Sequence, residues 1–268
     1  MDLSPIVGSC WLVAPVRDRV VCKNDRIVND VSGARSQADR SDRRVARRPI
    51  AGHFPVAGRF AGDKEDRMKL YFSPGACSLS PHIVLRESGA KFDLEQVDLR
   101  EKKTKKGDDY WQINAKGQVP LLELDDGQRL SEGPAIVQYI ADKNPSAGLA
   151  PAAGSMERYQ LQGWLTHIGT ELHKTFGPCF RPTTPEEYKK ISKEMLAMRY
   201  KNIDKHLAGK QYLMGDKFSV ADAYLYTVTR WAPRIEFDLS PFPNVKAFME
   251  RMAARPKVQE ALKAEGLQ

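Results

Sequence analysis

The amino-acid sequence predicts an α/β domain followed by an all-helical domain. Three observations lead to this fold class. Between residues 68 and 146, strand-like and helix-like segments follow one another in the order β-α-β and then β-β-α. Residues 144–151 contain two prolines and a glycine, a composition typical of a linker. From residue 153 onward, the apolar patterns have the helical period.

The α/β domain begins with a predicted strand, turn and helix. Residues 69–72 are strand-like, and Ser73-Pro74-Gly75 is typical of a turn. A helix is predicted over residues 80–89, because a proline stands near its first turn and a glycine at its end. Residues 92–98 alternate between apolar and polar side chains, which predicts the second strand.

The second half of this domain is a predicted hairpin followed by a helix. A lysine-rich stretch, residues 102–106, precedes a short helical piece at Tyr110-Trp111. Residues 120–124 and 128–130 are predicted strands joined by an Asp-Asp-Gly turn, and an apolar helix follows. This order of elements is thioredoxin-like, so we assign a thioredoxin-like domain to residues 68–146.

The helical domain is predicted over residues 153–268. Its first helix carries apolar side chains at the spacing of one helix face, namely Leu161, Leu165, Ile168 and Leu172. Further helices are predicted over residues 185–207, 219–231 and 244–255 and from Pro256 onward. The sequence Ser219-Val220-Ala221-Asp222 after Phe218 fits a capping box with a hydrophobic staple.

Residues 1–67 differ in composition from the rest of the chain. They carry 13 basic side chains, mostly arginine, against nine acidic ones, and so supply four of the eight net positive charges. They show no sustained helical or strand period, and we expect a disordered extension or a start-site artefact. A basic tail for nucleic acid or a membrane is the alternative, which the interleaved aspartates weaken. We therefore expect no nucleic-acid or membrane partner.

The cysteines and histidines do not form a metal or disulfide pattern. The four cysteines lack C-x-x-C spacing, and the five histidines are dispersed without a His-x-x-x-His pair. The apolar stretch near the start, residues 3–16, is too short to span a bilayer and lacks the positive charge of a signal peptide. We expect reduced thiols, a cytoplasmic protein and no metal.

Cys77 is the first candidate for chemistry. It lies in the turn between the first strand and the first helix, next to Ser78. The free N–H groups and the positive dipole end of a helix lower the pKa of a thiol, so a nucleophilic thiolate is predicted there. The alternative is a small buried apolar residue, which is the usual role of a lone cysteine.

Two proline motifs suggest recognition of an extended peptide. A cis bond at Val119-Pro120 would leave the N–H and C=O of Val119 free to pair with such a peptide, although an ordinary strand-entry proline is the alternative. At Ser131-Glu132-Gly133-Pro134, free amides at a helix start suit a carboxylate, and the Glu132 side chain suits an ammonium group. The alternative there is plain helix capping.

The first helix of the helical domain carries a polar stripe opposite its apolar face. Thr166, Thr170 and His173 form this stripe, which is typical of a cleft wall. The alternative, to which the sequence gives at least equal support, is a solvent-exposed helix face on which the histidine has no function. Lys102 has the same two interpretations, as a ligand contact or as a surface lysine.

Five motifs in order and spacing make the chain resemble a bacterial beta-class glutathione S-transferase, from Met68 to the C-terminus. They are residues 68–82 (MKLYFSPGACSLSPH), 114–120 (NAKGQVP), 132–139 (EGPAIVQY), 171–174 (ELHK) and 218–225 (FSVADAYL). The resemblance implies a thioredoxin-like domain followed by an all-helical glutathione S-transferase C-terminal domain. It also implies a homodimer that binds glutathione as co-substrate.

The resemblance assigns roles in glutathione binding to residues of the α/β domain. Cys77 would contact the glutathione sulfur and form a mixed disulfide with it. Lys102 would lie near the glycine end, and Val119 would pair with the cysteinyl backbone ahead of a cis-proline. Glu132 and Gly133 would hold the γ-glutamyl end, where Gly133 replaces the serine of other classes and leaves only its backbone N–H.

The resemblance assigns the wall of the site to the helical domain. Thr170, Glu171, Leu172 and His173 would form it, with His173 near the sulfur. Thr166 stands where the family commonly has asparagine, and its hydroxyl has a shorter reach than an amide.

The expected function is conjugation of glutathione to small electrophiles in detoxification, with Cys77 and His173 as catalytic residues. Thiol–disulfide transfer through Cys77 is a second expected activity, and the sequence does not rank the two. The alternative is a non-catalytic protein of the same fold that binds glutathione or apolar ligands.

Overall fold

A computed structural model describes residues 67–267 of the chain. The α/β domain contains a five-stranded sheet in the order β3-β2-β1-β4-β5. Strand β1 pairs with β2 in parallel, and the remaining pairs are antiparallel. The strands are β1 (Met68–Phe72), β2 (Phe92–Asp98), β3 (Lys103–Thr104), β4 (Leu121–Glu123) and β5 (Arg129–Ser131).

The two faces of this sheet are covered by different helices. Alternate side chains of β1 point to opposite faces, so Leu70 joins the large core and Tyr71 joins a smaller cluster. Helices α1 (Leu79–Ser88) and α3 (Gly133–Lys143) contribute to the large core. The short helix α2 (Tyr110–Ile113) contributes Tyr110 to the smaller one.

The helical domain consists of six further helices. Its first helix, α4, continues through a π-helical segment, Ile168–His173, into the short helix α5. The apolar stripe predicted on this helix is buried in the core, which confirms that prediction. The helices are α4 (Met156–His167), α5 (Lys174–Phe176), α6 (Glu186–Leu207), α7 (Val220–Thr229), α8 (Pro243–Ala253) and α9 (Pro256–Ala264).

Helix α7 lies at the centre of the helical domain, where each of its residues is buried. The predicted capping box is present, since the Ser219 N–H and hydroxyl donate to the Asp222 carboxylate and the Ser219 side chain accepts from the helix backbone. Asp222 also accepts a bond from the Leu213 N–H at 2.8 Å. One buried carboxylate therefore fixes both the start of α7 and the loop before it.

The two domains are joined through α1, which packs against α7 and α9. Just after α9, Glu265 is buried, and its carboxylate lies 2.8 Å from His82 Nδ1 on α1. The same carboxylate accepts a bond from the Gly75 N–H at 2.9 Å. From the other side, the Trp231 indole donates to the Gly75 carbonyl at 2.9 Å. The loop before α1 is thus held by the helical domain.

The predicted fold class is confirmed, and two local features were not predicted. Strand β3 falls in the lysine-rich stretch, where pairing with β2 overrides a composition that disfavours strands. The π-helical segment does not change the spacing of the apolar residues, so the apolar pattern did not predict it.

The predicted extension, residues 1–67, lies outside the described residues apart from Arg67. Among the helices of residues 67–267, none combines the length and apolar character that crossing a membrane requires.

Candidate active site

A cleft of about 480 Å³ opens between the α/β domain and the helix α4–α5. Its walls come from loops of the sheet, from the start of α3 and from the π-helical segment. Seven of the predicted site residues line it: Cys77, Lys102, Val119, Glu132, Gly133, Thr170 and His173. Side chains and backbone that the sequence analysis assigned no role also line it, among them Asn114, Lys116, Gly117, Lys174 and Tyr224.

Cys77 stands at the start of α1 and faces the cleft, but its ionisation differs from the prediction. Burial raises the pKa of the Cys77 thiol to about 11, although the backbone N–H groups of Cys77 and Ser78 act in the opposite direction. The thiol donates a hydrogen bond to the Val119 carbonyl at 3.2 Å. The predicted lowering of the thiol pKa is therefore wrong, because desolvation outweighs the helix N-terminus.

Val119 presents its backbone to the cleft ahead of a cis peptide bond to Pro120, as predicted. Its carbonyl accepts the Cys77 thiol, and its N–H makes no hydrogen bond within residues 67–267. The side chain itself is buried in the smaller cluster. An extended ligand could therefore pair with this backbone position in the manner of an added strand.

Glu132 and the start of α3 form part of the cleft wall. Glu132 adopts a left-handed φ of 71°, which is unfavourable for a residue with a side chain and is typical of functional sites. Its carbonyl accepts from the N–H groups of Ala135 and Ile136, and Pro134 has no N–H. The Gly133 N–H is consequently the amide available to a ligand at this helix start.

The Glu132 carboxylate is held by a lysine of the loop between α2 and β4. Lys116 Nζ donates to it at 2.7 Å and also reaches the Ser131 hydroxyl at 3.2 Å. This hydrogen bond lowers the pKa of Glu132, and the charges of Lys116 and Lys174 act in the same direction. Glu132 is therefore an anion that can accept an ammonium group.

Lys102 also lines the cleft. Its Nζ donates to the Gly117 carbonyl at 2.7 Å and lies 5.4 Å from the centre of the Trp111 ring. Within residues 67–267 it has no carboxylate partner. The lysine charge is thus oriented by neutral groups and remains free to bind a carboxylate.

Gly117 is required at this position for a steric reason. Its φ is 57°, and a β-carbon there would lie 2.6 Å from the Trp111 ring. Only glycine permits the indole to lie against the backbone that holds Lys102.

His173 ends the π-helical segment and lines the cleft. Burial and the neighbouring Lys174 charge lower the pKa of His173 to about 4, so the ring is neutral at pH 7. Its Nδ1 lies 2.7 Å from the Tyr224 hydroxyl, and its ring packs edge-on against Trp231 with centroids 4.9 Å apart.

Three predicted site residues lie away from the cleft of this chain. Leu172 is fully buried in the core. Glu171 forms an ion pair with Arg199 at 2.7 Å on α6. Thr166 is exposed and lines a separate shallow depression. Because successive helix residues point in different directions, a helix that presents His173 to the cleft cannot also present Leu172.

The residues that the sequence analysis missed had only a weak signal. Lys116, Gly117 and Tyr224 fall inside motifs that carried the resemblance, but nothing in their spacing indicates a shared cleft. Among residues 67–267, no group of histidine, cysteine and acidic side chains could hold a metal ion.

Comparison with known proteins agrees with this geometry. The glutathione S-transferase N-terminal domain model matches residues 66–142, and the C-terminal domain model matches residues 167–256. The glutathione S-transferase GstA of Escherichia coli O157:H7 is 50% identical over 200 residues, which are 75% of this chain and 100% of that protein. The chain belongs to the glutathione S-transferase family.

Two solved structures of glutathione S-transferases are similar to this chain in sequence and in fold. The beta-class glutathione S-transferase of Sphingomonas chungbukensis is 47% identical, with a TM-score of 0.73 over 75% of this chain and 100% of that chain. A sphingomonad glutathione S-transferase in complex with glutathione is 48% identical, with a TM-score of 0.72 over the same shares. The predicted resemblance to bacterial beta-class glutathione S-transferases is confirmed.

Proposed function

We propose that this chain binds glutathione in the cleft and conjugates it to small electrophiles. The observation that carries the proposal is the set of groups that line this one cleft. Lys102 offers a cation, Val119 offers an unpaired backbone N–H, and Glu132 with the Gly133 N–H offers an anion and an amide. Glutathione carries the complementary groups, namely carboxylates, a peptide backbone and an ammonium group.

The reacting sulfur would then lie between Cys77 and His173. Cys77 stays protonated because its pKa is about 11, so its thiol would donate a hydrogen bond to the glutathione sulfur. His173 is neutral and faces the same region. Donors aimed at the sulfur stabilise the glutathione thiolate, which is the nucleophile. In the conjugation step the thiolate forms a bond to an electrophilic carbon, and the leaving group departs with its electron pair.

The proposal is tested by the rate at which the full chain conjugates glutathione to an activated aryl halide. We expect Lys102→Ala to raise the Kd for glutathione about tenfold, since a charge-assisted contact is lost. Lys105→Ala is the matched control, because Lys105 is exposed and does not line the cleft. Glutathione binding without conjugation of a range of electrophiles would support the non-catalytic alternative instead.

Thiol–disulfide transfer is a second candidate, favoured by the position of Cys77 in the cleft. Here the Cys77 thiolate would attack glutathione disulfide, form a mixed disulfide and release one glutathione thiolate. The raised thiol pKa predicts that this reaction accelerates as the pH rises towards 11. Incubation with glutathione disulfide followed by peptide mapping tests it, and the absence of an adduct on Cys77 at high pH would exclude this activity.

We further propose a cytoplasmic homodimer, as the family resemblance implies. Three of the residues proposed to bind glutathione lie outside the cleft of the single chain, namely Thr166, Glu171 and Leu172. Their proposed role rests on the family resemblance alone. Sedimentation equilibrium of the full chain tests the dimer. A monomer at micromolar concentration would contradict it.

A further inference from the structure

One contact in the cleft links two residues 51 positions apart in sequence. The Tyr224 hydroxyl on α7 lies 2.7 Å from His173 Nδ1, and the two rings meet edge to face at 81°. Gly169 lies beside this contact, and a β-carbon there would be 3.6 Å from the Tyr224 oxygen. This distance is an ordinary van der Waals contact, so the π-helical segment passes directly beside the phenol.

The protonation of the two groups decides the direction of this hydrogen bond. Burial raises the pKa of Tyr224, and at high pH the Cys77 thiolate, together with the Glu132 charge, acts in the same direction, so the phenol keeps its proton. His173 is neutral and therefore carries a single N–H, on one of its two nitrogens. A phenol is a stronger hydrogen-bond donor than a neutral imidazole N–H, and an imidazole nitrogen is a stronger acceptor than a phenol oxygen. The phenol thus donates to Nδ1.

The opposite arrangement would leave a polar proton unpaired. If Nδ1 carried the hydrogen, the Tyr224 hydroxyl would accept it, and the phenolic proton would need another acceptor. Within residues 67–267, His173 is the hydrogen-bond partner of this hydroxyl. A buried hydroxyl proton without an acceptor is unfavourable, which disfavours that tautomer.

We propose that Tyr224 is a positioning residue that keeps the single proton of His173 on Nε2, so that His173 serves the cleft as a hydrogen-bond donor and not as a base. This inference deepens the proposed function and rests on it for its catalytic consequence. The Nε2 atom makes no hydrogen bond within residues 67–267 and belongs to a ring that lines the cleft. Its N–H is then available to a thiolate sulfur or to negative charge that develops on the electrophile.

The consequence for the reaction is that His173 does not take the proton of the glutathione thiol. In this arrangement Nε2 carries the ring hydrogen and Nδ1 accepts the phenol hydrogen. Neither nitrogen then has a lone pair free to accept the thiol proton. The thiol proton therefore leaves to solvent, and the N–H of His173 stabilises the thiolate that remains. The edge-on contact with Trp231 keeps the ring in this orientation.

The tautomer is measured directly by ¹⁵N NMR of the full chain with labelled histidine. We expect a protonated Nε2 and an unprotonated, hydrogen-bonded Nδ1 for His173 at pH 7. In Tyr224→Phe we expect a mixture of both tautomers. Tyr226→Phe is the matched control, since it removes a hydroxyl two residues along the same helix without contact to His173. A hydrogen on Nδ1 in the unsubstituted chain would overturn the proposal.

Kinetics distinguish a donor at Nε2 from a donor at Nδ1 or a base. The amide nitrogen of glutamine matches the position of Nε2, whereas that of asparagine matches Nδ1. We expect His173→Gln to retain at least tenfold more kcat/KM than His173→Asn or His173→Ala. Tyr224→Phe should lower kcat/KM about fivefold to tenfold, with the Kd for glutathione unchanged within twofold. In the His173→Gln background the same substitution should have little further effect.

The two proposals fail in different ways. If His173→Gln is as inactive as His173→Ala, the donor role is wrong even though conjugation itself is real. If the chain conjugates no electrophile at all, the proposed function fails, while the NMR measurement still decides the tautomer. A fall in glutathione affinity in Tyr224→Phe, without a change in kcat, would indicate a structural role and would contradict positioning.

Discussion

Cys77 shows how a single side chain in this cleft is governed by two opposing effects. The N–H groups at the start of α1 favour the thiolate, while burial favours the thiol, and burial prevails. The neutral thiol is then a donor, first to the Val119 carbonyl and, in the proposed complex, to the glutathione sulfur. The same position would have produced a reactive thiolate if it had been better solvated.

We expect Cys77 to react slowly with iodoacetamide at neutral pH. A pKa near 11 in place of the usual 9.0 leaves about a hundredfold less thiolate at pH 7. Because the pKa is raised, labelling should increase as the pH rises towards 11. Mass spectrometry of the Cys77 peptide measures the rate, and the unfolded chain in urea gives the reference. A labelling midpoint near pH 7 would show that the helix N-terminus prevails after all.

Gly117 carries a second prediction at the residue scale. In Gly117→Ala the new methyl group meets the Trp111 ring, which must move away from Lys102. We expect the Kd for glutathione to rise about fivefold to tenfold. Gly127→Ala is the matched control, because Gly127 also has a left-handed φ, 82°, but nothing lies within 4 Å of its added β-carbon. Equal affinities for the two variants would mean that the Trp111 contact is unimportant.

Helix α7 is the element on which both the core and the site depend. It carries Tyr224 to His173, and its start is fixed by the buried Asp222 carboxylate. Because α7 is buried on all sides, it has no polar face to fix its orientation in the core. Its capping groups and the neighbouring loop therefore determine where the helix starts.

We expect Asp222→Ala to lower the free energy of unfolding by about 3 kcal/mol. The substitution removes the acceptor of the Ser219 and Leu213 N–H groups, which are buried and have no route to water. Urea denaturation measures the loss. Ser155→Ala at the partly exposed start of α4 is the control and should cost about 1 kcal/mol or less. A similar loss in both variants would contradict the role of burial.

At the scale of the whole molecule, the C-terminal end of the chain supports the cleft. Arg86 donates to His82 Nε2 at 2.9 Å, so the imidazole proton is on Nδ1 and points to Glu265. The same carboxylate holds the Gly75 N–H, and Leu267 packs against Gly75. The loop that leads to Cys77 is therefore fixed by residues nearly 200 positions away.

We expect Glu265→Ala to lower the free energy of unfolding by about 2–4 kcal/mol and to weaken glutathione binding. The buried His82 N–H and the partly buried Gly75 N–H lose their acceptor. Chemical denaturation and calorimetric titration with glutathione measure the two effects. Glu260→Ala on α9 is the control: its ion pairs with Arg86 and Lys257 are exposed to solvent, so it should leave the free energy of unfolding nearly unchanged. A stable Glu265→Ala variant would refute the proposed support.

Much of the fold could be predicted from the sequence because its signals are local. The period of apolar residues, the hairpin turn, the capping box and the motifs around Cys77 and Val119 each lie within a few neighbouring positions. These signals determined the two domains, their order and most of the cleft residues. They also determined the family, through motifs in a fixed order.

Only the tertiary structure decided the chemistry of the cleft. The pKa of the Cys77 thiol depends on how deeply it is buried, and the tautomer of His173 depends on a phenol 51 residues away. The contact between Gly75 and Glu265 spans 190 residues. Such properties arise from desolvation and from contacts between distant segments, and neither quantity is carried by a local pattern of residues.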